Sequence, residues 1–218
     1  SDIQAAGGLN KALNNYYAAS FGSVTTASVA ASVAANLGLM RSTYILEKFN
    51  ETEKYANALI STGQASPQEL FEADYYIGKV AFANKEYAKA ETQFKKIEGN
   101  DNLEGTDAKY LLAKILYING SYDKSIDKAY EVINKRGGYH ETVIKSYLLL
   151  ADNYYKKGNN FQAKATLQSI IDNYEPEDEY KLEARTKLQM IIDAEAGTNK
   201  LAPDIEDDGS PLEPDPSG

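Results

Sequence analysis

The chain has 218 residues, with 32 acidic and 23 basic side chains, a net charge of −9, 17 tyrosines, no tryptophan and no cysteine. The acidic balance disfavours a nucleic-acid backbone as partner, and the missing cysteines exclude disulfides, thiolate metal sites and cysteine catalysis. No apolar run is long enough to span a bilayer, and no basic-then-apolar leader opens the chain. The opening "SDIQ" reads as a trimmed start, so the lack of a leader says little about the native N-terminus. Many tyrosines without tryptophan point to half-buried positions, because a Tyr ring packs while its hydroxyl stays wet.

Taken in chain order, "LNKALNNYYAASFGS" (9–23) reads as a lone second helix, with Ala12, Tyr16 and Ala19 on one face, so 1–23 forms a half-repeat. Residues 24–62 read as a first helix hairpin, with Leu39 and Met40 on its first helix and Phe49, Thr52 and Leu59 on its second. "SPQE" (66–69) is a capping box, with Ser66 at the N-cap, Pro67 in the first turn and Glu69 three residues on. It opens a second hairpin over 67–98, with Ile77 and Gly78, then Tyr87, Ala90, Phe94 and Ile97. A third, 106–135, places Leu112, Ala113, Gly120, Tyr122, Ser125 and Val132 in the same register. A fourth, 141–174, ends its first helix at Gly158 and continues with Ala163, Leu167 and Ile170.

The small residue opening each second helix is Thr52, Ala90, Ser125 and Ala163, spaced by 38, 35 and 38. A near-constant period over four copies is the signature of a stacked repeat. Gly99, Gly105, Gly137 and Gly138 are expected between hairpins, where helices must stop. Residues 177–196 read as one closing helix with Tyr180, Ala184, Leu188 and Ile191 on a face, the cap that a stacked array needs. From 197 to 218 the chain carries four of its six prolines and about five of its nine net negative charges, which predicts a disordered acidic tail.

Leu or Ile beside a small residue in the first helix, Gly then Tyr at the turn, and Ala-xxx-large-xx-aliphatic in the second together resemble the tetratricopeptide repeat. The likeness covers about 34–174 and is closest in 69–97 and 141–170. The large aromatic common early in the first helix survives as Tyr147, with Asn36, Asp74 and Lys109 in its place elsewhere; Asn160 stands where the turn Tyr is usual. "GTDAKYLLAKILYINGSYDKS" and "KGNNFQAKATLQSIIDNY" also resemble the C-terminal repeat region of cell-envelope proteins of Bacteroidetes-type bacteria. The resemblance implies an all-α fold, a right-handed superhelical solenoid of helix hairpins. It also implies a periplasmic or outer-membrane-peripheral setting, with the cytoplasm as the alternative.

The first helices carry two stripes. The pairs Leu39–Met40, Ile77–Gly78, Leu112–Ala113 and Leu150–Ala151 are expected in the core. A second stripe, offset by two residues, runs Leu37–Arg41–Tyr44, Tyr75–Lys79–Phe82, Tyr110–Lys114–Tyr117 and Leu148–Asp152–Tyr155. Each set steps four then three, along one helical face, which stacking would turn inward as a concave groove. Tyrosines there offer contact area and cations offer partners for carboxylates, so these twelve residues are the candidate partner-binding set. The competing account is plain packing, with each Lys draping its stem over a neighbouring ring.

Chemistry is thinly represented elsewhere. His140 is the single histidine and lacks a second metal ligand. No acid–base carboxylate pair, phosphate loop or calcium loop is recognisable, so no catalytic, metal or cofactor residue is assigned. "NET" at Asn50 and "NGS" at Asn119 match the glycosylation tripeptide at turns where such residues are common anyway. The expectation is a non-catalytic scaffold or adaptor holding a protein or peptide segment, one that could carry carboxylates, with envelope or outer-membrane assembly as one context. The alternative is a structural spacer or self-associating segment of a longer solenoid, motivated by the mid-repeat start. A further idea is that the acidic tail folds back over Arg41, Lys79 and Lys114.

Overall fold

The computed structural model describes residues 26–134 and 139–201. The half-repeat expected at 1–23, Gly137 and Gly138, and the tail beyond 201 lie outside the described residues. Among the described residues every regular element is a helix: α1 (Thr26–Ile45), α2 (Phe49–Ser61), α3 (Pro67–Ala83), α4 (Tyr87–Ile97), α5 (Leu103–Ile118), α6 (Tyr122–Ile133), α7 (His140–Lys156), α8 (Asn160–Asn173) and α9 (Glu179–Leu201).

The second helices show why the sequence steps as it does. Thr52, Ala56 and Leu59 on α2 are buried, as are Ala90, Phe94 and Ile97 on α4, Ser125, Ala129 and Val132 on α6, and Ala163, Leu167 and Ile170 on α8. Steps of four and three keep these side chains on one stripe, and each second helix presses that stripe onto its first helix. The expected core pairs of the first helices, from Leu39–Met40 to Leu150–Ala151, are buried, with Gly78 the partner of Ile77. At Gly78 a Cβ would sit 2.6 Å from the Phe94 ring, so the smallest residue is what lets the largest fully buried side chain enter. Burying a Phe of that kind contributes roughly 1.5–3 kcal/mol. The two polar openers are satisfied internally: Thr52 Oγ1 lies 3.0 Å from Thr43 Oγ1, and Ser125 donates to the Ala113 carbonyl at 2.8 Å while accepting from Asn153 at 2.9 Å.

The hairpin turns repeat as closely as the core. Glu47, Lys85, Gly120 and Gly158 each lie two residues past a first helix, with φ of 55°, 63°, 75° and 75°. Behind each of them the next amide reaches back into the helix, from Lys48 to Thr43, Glu86 to Ala81, Ser121 to Leu116 and Asn159 to Tyr154. This is the left-handed C-terminal cap that glycine adopts without steric penalty. Two copies build it without glycine.

The connections between hairpins differ more. Ser66 and Glu69 make both bonds of the expected capping box, at 3.3 and 2.7 Å. Gly105 does not lie between hairpins: it is buried inside α5, where the Asn102 side chain accepts from its amide at 2.8 Å. A Cβ there would fall 2.3 Å from the Asn100 carbonyl oxygen, so this glycine serves a close backbone approach and not a stop. The closing helix likewise continues through Gly197 to Leu201, past the expected end at 196.

Each helix packs on its neighbours in sequence, and each second helix also meets the first helix of the next hairpin. In addition, α1 touches α3, α3 touches α5, α5 touches α7 and α7 touches α9. The second helices α2, α4, α6 and α8 make no such contact with one another among the described residues. The first helices therefore form a continuous layer, and one face of that layer carries the candidate stripe.

Candidate functional site

The stripe divides by chemistry once it is placed. Two residues of its first set are engaged within the fold. Leu37 packs against the N-terminal core cluster, and Arg41 grips Glu72 through both carboxylate oxygens, at 2.5 and 2.6 Å. A bidentate guanidinium–carboxylate pair of this geometry ties α1 to α3. Tyr75 is also spoken for, its hydroxyl donating to Asp107 of α5 at 2.5 Å. Burial and the Asp107 charge together drive its pKa upward.

Tyr44, Lys79, Phe82, Tyr110 and Lys114 come together, with Asp107, Leu111 and Lys145, around a cavity of about 260 Å³. The Lys79 ammonium lies 4.4 Å from the Tyr44 ring centre and 5.0 Å from that of Tyr75, while Lys114 lies 5.9 Å from Phe82 and 6.0 Å from Tyr110. These are cation–π distances, worth about 0.5–2 kcal/mol each according to how dry the site is. Burial pushes the Lys79 ammonium below its ordinary pKa, against the pull of Asp107. Burial likewise pushes the hydroxyls of Tyr44 and Tyr110 up to about 12, so the rings remain neutral donors.

Lys79 and Lys114 differ from other lysines of comparable burial. Lys89, Lys128, Lys145, Lys164, Lys181 and Lys187 each hold a carboxylate. Lys79 and Lys114 make no ion pair among the described residues, nor does Lys109, which lies outside the cavity. The ammonium of a half-buried lysine loses part of its hydration, and ring faces repay less of that loss than a carboxylate does.

Farther along the same face, Tyr110, Lys114, Tyr117, Leu148 and Asp152 line a second cavity of about 250 Å³ with Lys145, Tyr180 and Glu183. Lys145 bonds Glu141, which also accepts from the Tyr180 hydroxyl at 2.9 Å. Asp152 meets Lys187 of α9 at 2.6 Å, yet burial still raises its pKa. Tyr155 ends the stripe beside a third cavity, of about 190 Å³, with Asp152, Lys187 and Met190 among its walls.

Sequence reasoning missed as site residues a column one turn earlier on α3, α5, α7 and α9, Glu72, Asp107, Lys145 and Tyr180. It also missed a fifth set on the closing helix. Glu183, Lys187 and Met190 step four then three and lie beside the fourth set, Lys187 meeting Asp152, but copies spaced by 38, 35 and 38 did not fix that register in the sequence. His140 lies apart, beginning α7 and lining a shallow cavity with Tyr147 and Tyr174.

No family model and no curated protein matches the chain. Among the described residues no group of three His, Cys, Asp or Glu is placed to hold a metal ion, and no helix is long and apolar enough to cross a membrane.

Proposed function

We propose that the chain is a tetratricopeptide-type module, a right-handed superhelix of helix hairpins, that holds an extended segment of a partner protein along the concave face of its first helices. Its role is that of a scaffold or adaptor without chemistry of its own. The cell-envelope setting follows from the sequence resemblance alone. One observation carries the binding role: Lys79 and Lys114 are half-buried against aromatic rings and make no ion pair, while the acids nearest them are already engaged, Asp107 by the Tyr75 hydroxyl and Asp152 by Lys187. An incoming carboxylate would supply the missing partner, and the surrounding tyrosines would supply contact area at low entropic cost.

The test is selection from a displayed random-peptide library on the chain, followed by affinity measurement on the Lys79→Glu/Lys114→Glu double variant. The expected result is enrichment of peptides bearing acidic residues, with about tenfold or greater loss of affinity in the double variant. Lys79→Met/Lys114→Met, which removes both charges without setting a new carboxylate beside Asp107, should lose affinity for the acidic peptides as well, and its thermal midpoint separates lost binding from lost fold. No enrichment, or equal affinity in the double variant, overturns the proposal.

A further inference from the structure

The hairpin turns contain a repeated ring contact that fails in one copy. Tyr44 packs on Phe49 with ring centres 5.8 Å apart, Phe82 on Tyr87 at 5.6 Å, and Tyr117 on Tyr122 at 5.7 Å. In each case the last aromatic of the stripe leans on the first residue of the following helix. In the fourth hairpin that residue is Asn160, and among the described residues Tyr155 has no ring partner. Asn160 instead donates to Glu195 of α9 at 3.1 Å, beside the Lys164–Glu195 ion pair at 2.5 Å. The substitution both docks the closing helix and releases Tyr155 from the turn.

The released ring, 42% exposed, stands over the third cavity opposite Met190, which is 64% exposed. Leu167, Ile191 and Ala151 form its floor. The two charged side chains at its edge, Asp152 and Lys187, are already paired with each other and ask for nothing from a ligand. Apolar cavities of about 150 Å³ hold a benzene ring, so the volume here, about 190 Å³, accepts one large aliphatic or aromatic side chain.

We infer that the closing helix is a wall of the binding site as well as a cap, and that the bound segment carries two kinds of anchor: a carboxylate between Lys79 and Lys114, and a large apolar side chain between Tyr155 and Met190. Charge complementarity selects the first anchor, and a neutralised apolar cavity on the same face selects the second. The inference rests on the proposed binding function and adds the chemistry of the ligand to it.

The test repeats the library selection on the intact chain, on Met190→Glu and on Lys79→Glu/Lys114→Glu. Wild-type protein should enrich peptides with an acidic and a large apolar residue at one fixed separation. Met190→Glu should keep the acidic preference and lose the apolar one, binding wild-type-selected peptides about tenfold more weakly. The lysine variant should show the reverse. Met190→Leu, which keeps the apolar wall, should behave as wild type, and because Met190 is exposed both Met190 variants should melt as wild type does. If Met190→Glu enriches the same apolar position as wild type, or wild type shows no apolar preference, the inference falls while the binding function stands. If wild type enriches nothing, both fall.

Discussion

The middle and the ends of the shared face use the same register for opposite purposes. Arg41, Lys79, Lys114 and Asp152 occupy equivalent places on α1, α3, α5 and α7, each four residues before the helix ends. At the ends they are consumed in joining helices, Arg41 to Glu72 and Asp152 to Lys187. In the middle, Lys79 and Lys114 lie against rings and make no ion pair among the described residues, and the Asp107 of their cavity is bonded to Tyr75. The stripe pattern is therefore not itself the site. On the proposed reading, structural and binding positions differ in whether the neighbouring repeat supplies an ion-pair partner, and two of the four copies make no ion pair.

The largest expected effect concerns the tyrosines of that middle section. Tyr44 and Tyr110 hold their protons up to about 12, and Tyr75 is raised further, chiefly by burial. A folded-state pKa above the ordinary value of 10 means that their contribution to stability is complete below pH about 10 and is lost as pH rises toward about 12. Lys79, lowered by burial, acts in the opposite sense, becoming less unfavourable as it loses its proton, but it is one group against three. The thermal midpoint should fall steeply in that window, in step with tyrosinate absorbance, and a Tyr44→Phe/Tyr110→Phe variant should flatten the fall. A midpoint indifferent to alkali would show that these hydroxyls are wetter than their surroundings imply.

Next comes the contrast between paired and unpaired lysines. Lys187→Met leaves Asp152 partly buried without its cation and should cost about 1–3 kcal/mol in urea unfolding. Lys79→Met removes a half-buried charge that makes no ion pair and should change stability by less than about 0.5 kcal/mol, or raise it. Equal losses in the two variants would erase the distinction between ends and middle.

The turns offer a separate contrast, between the third hairpin and the second. Gly120→Ala forces a Cβ onto a left-handed residue and should cost about 1–2 kcal/mol. Lys85→Gly relieves the same conformation where a side chain already bears it, and should gain about 0.5–1 kcal/mol. Chemical denaturation of the two variants reads both signs in one experiment.

Much of the fold was legible because periodic burial depends on local spacing. Thr52, Ala90, Ser125 and Ala163 announce their helices whatever the tertiary contacts, and all four are fully buried. The capping box at Ser66 is equally local. The stripe was legible as a face but not in its division of labour. Arg41 and Glu72, or Asp152 and Lys187, are separated by roughly one repeat, and no local spacing says which acid will reach which base. Gly105 misled for a related reason: its role is set by the approach of the Asn100 carbonyl, not by its helix propensity. The Asn160 departure was visible as a missing aromatic, but its consequence, a freed Tyr155, needed the closing helix in place.

The most direct measurement of the central claim is nuclear magnetic resonance of the chain titrated with a library-selected acidic peptide. The account predicts that perturbed resonances map to the face carrying Tyr44, Lys79, Tyr110 and Lys114, and extend to Met190 when the peptide bears an apolar anchor. Perturbations confined to α2, α4, α6 and α8, with that face silent, would contradict it.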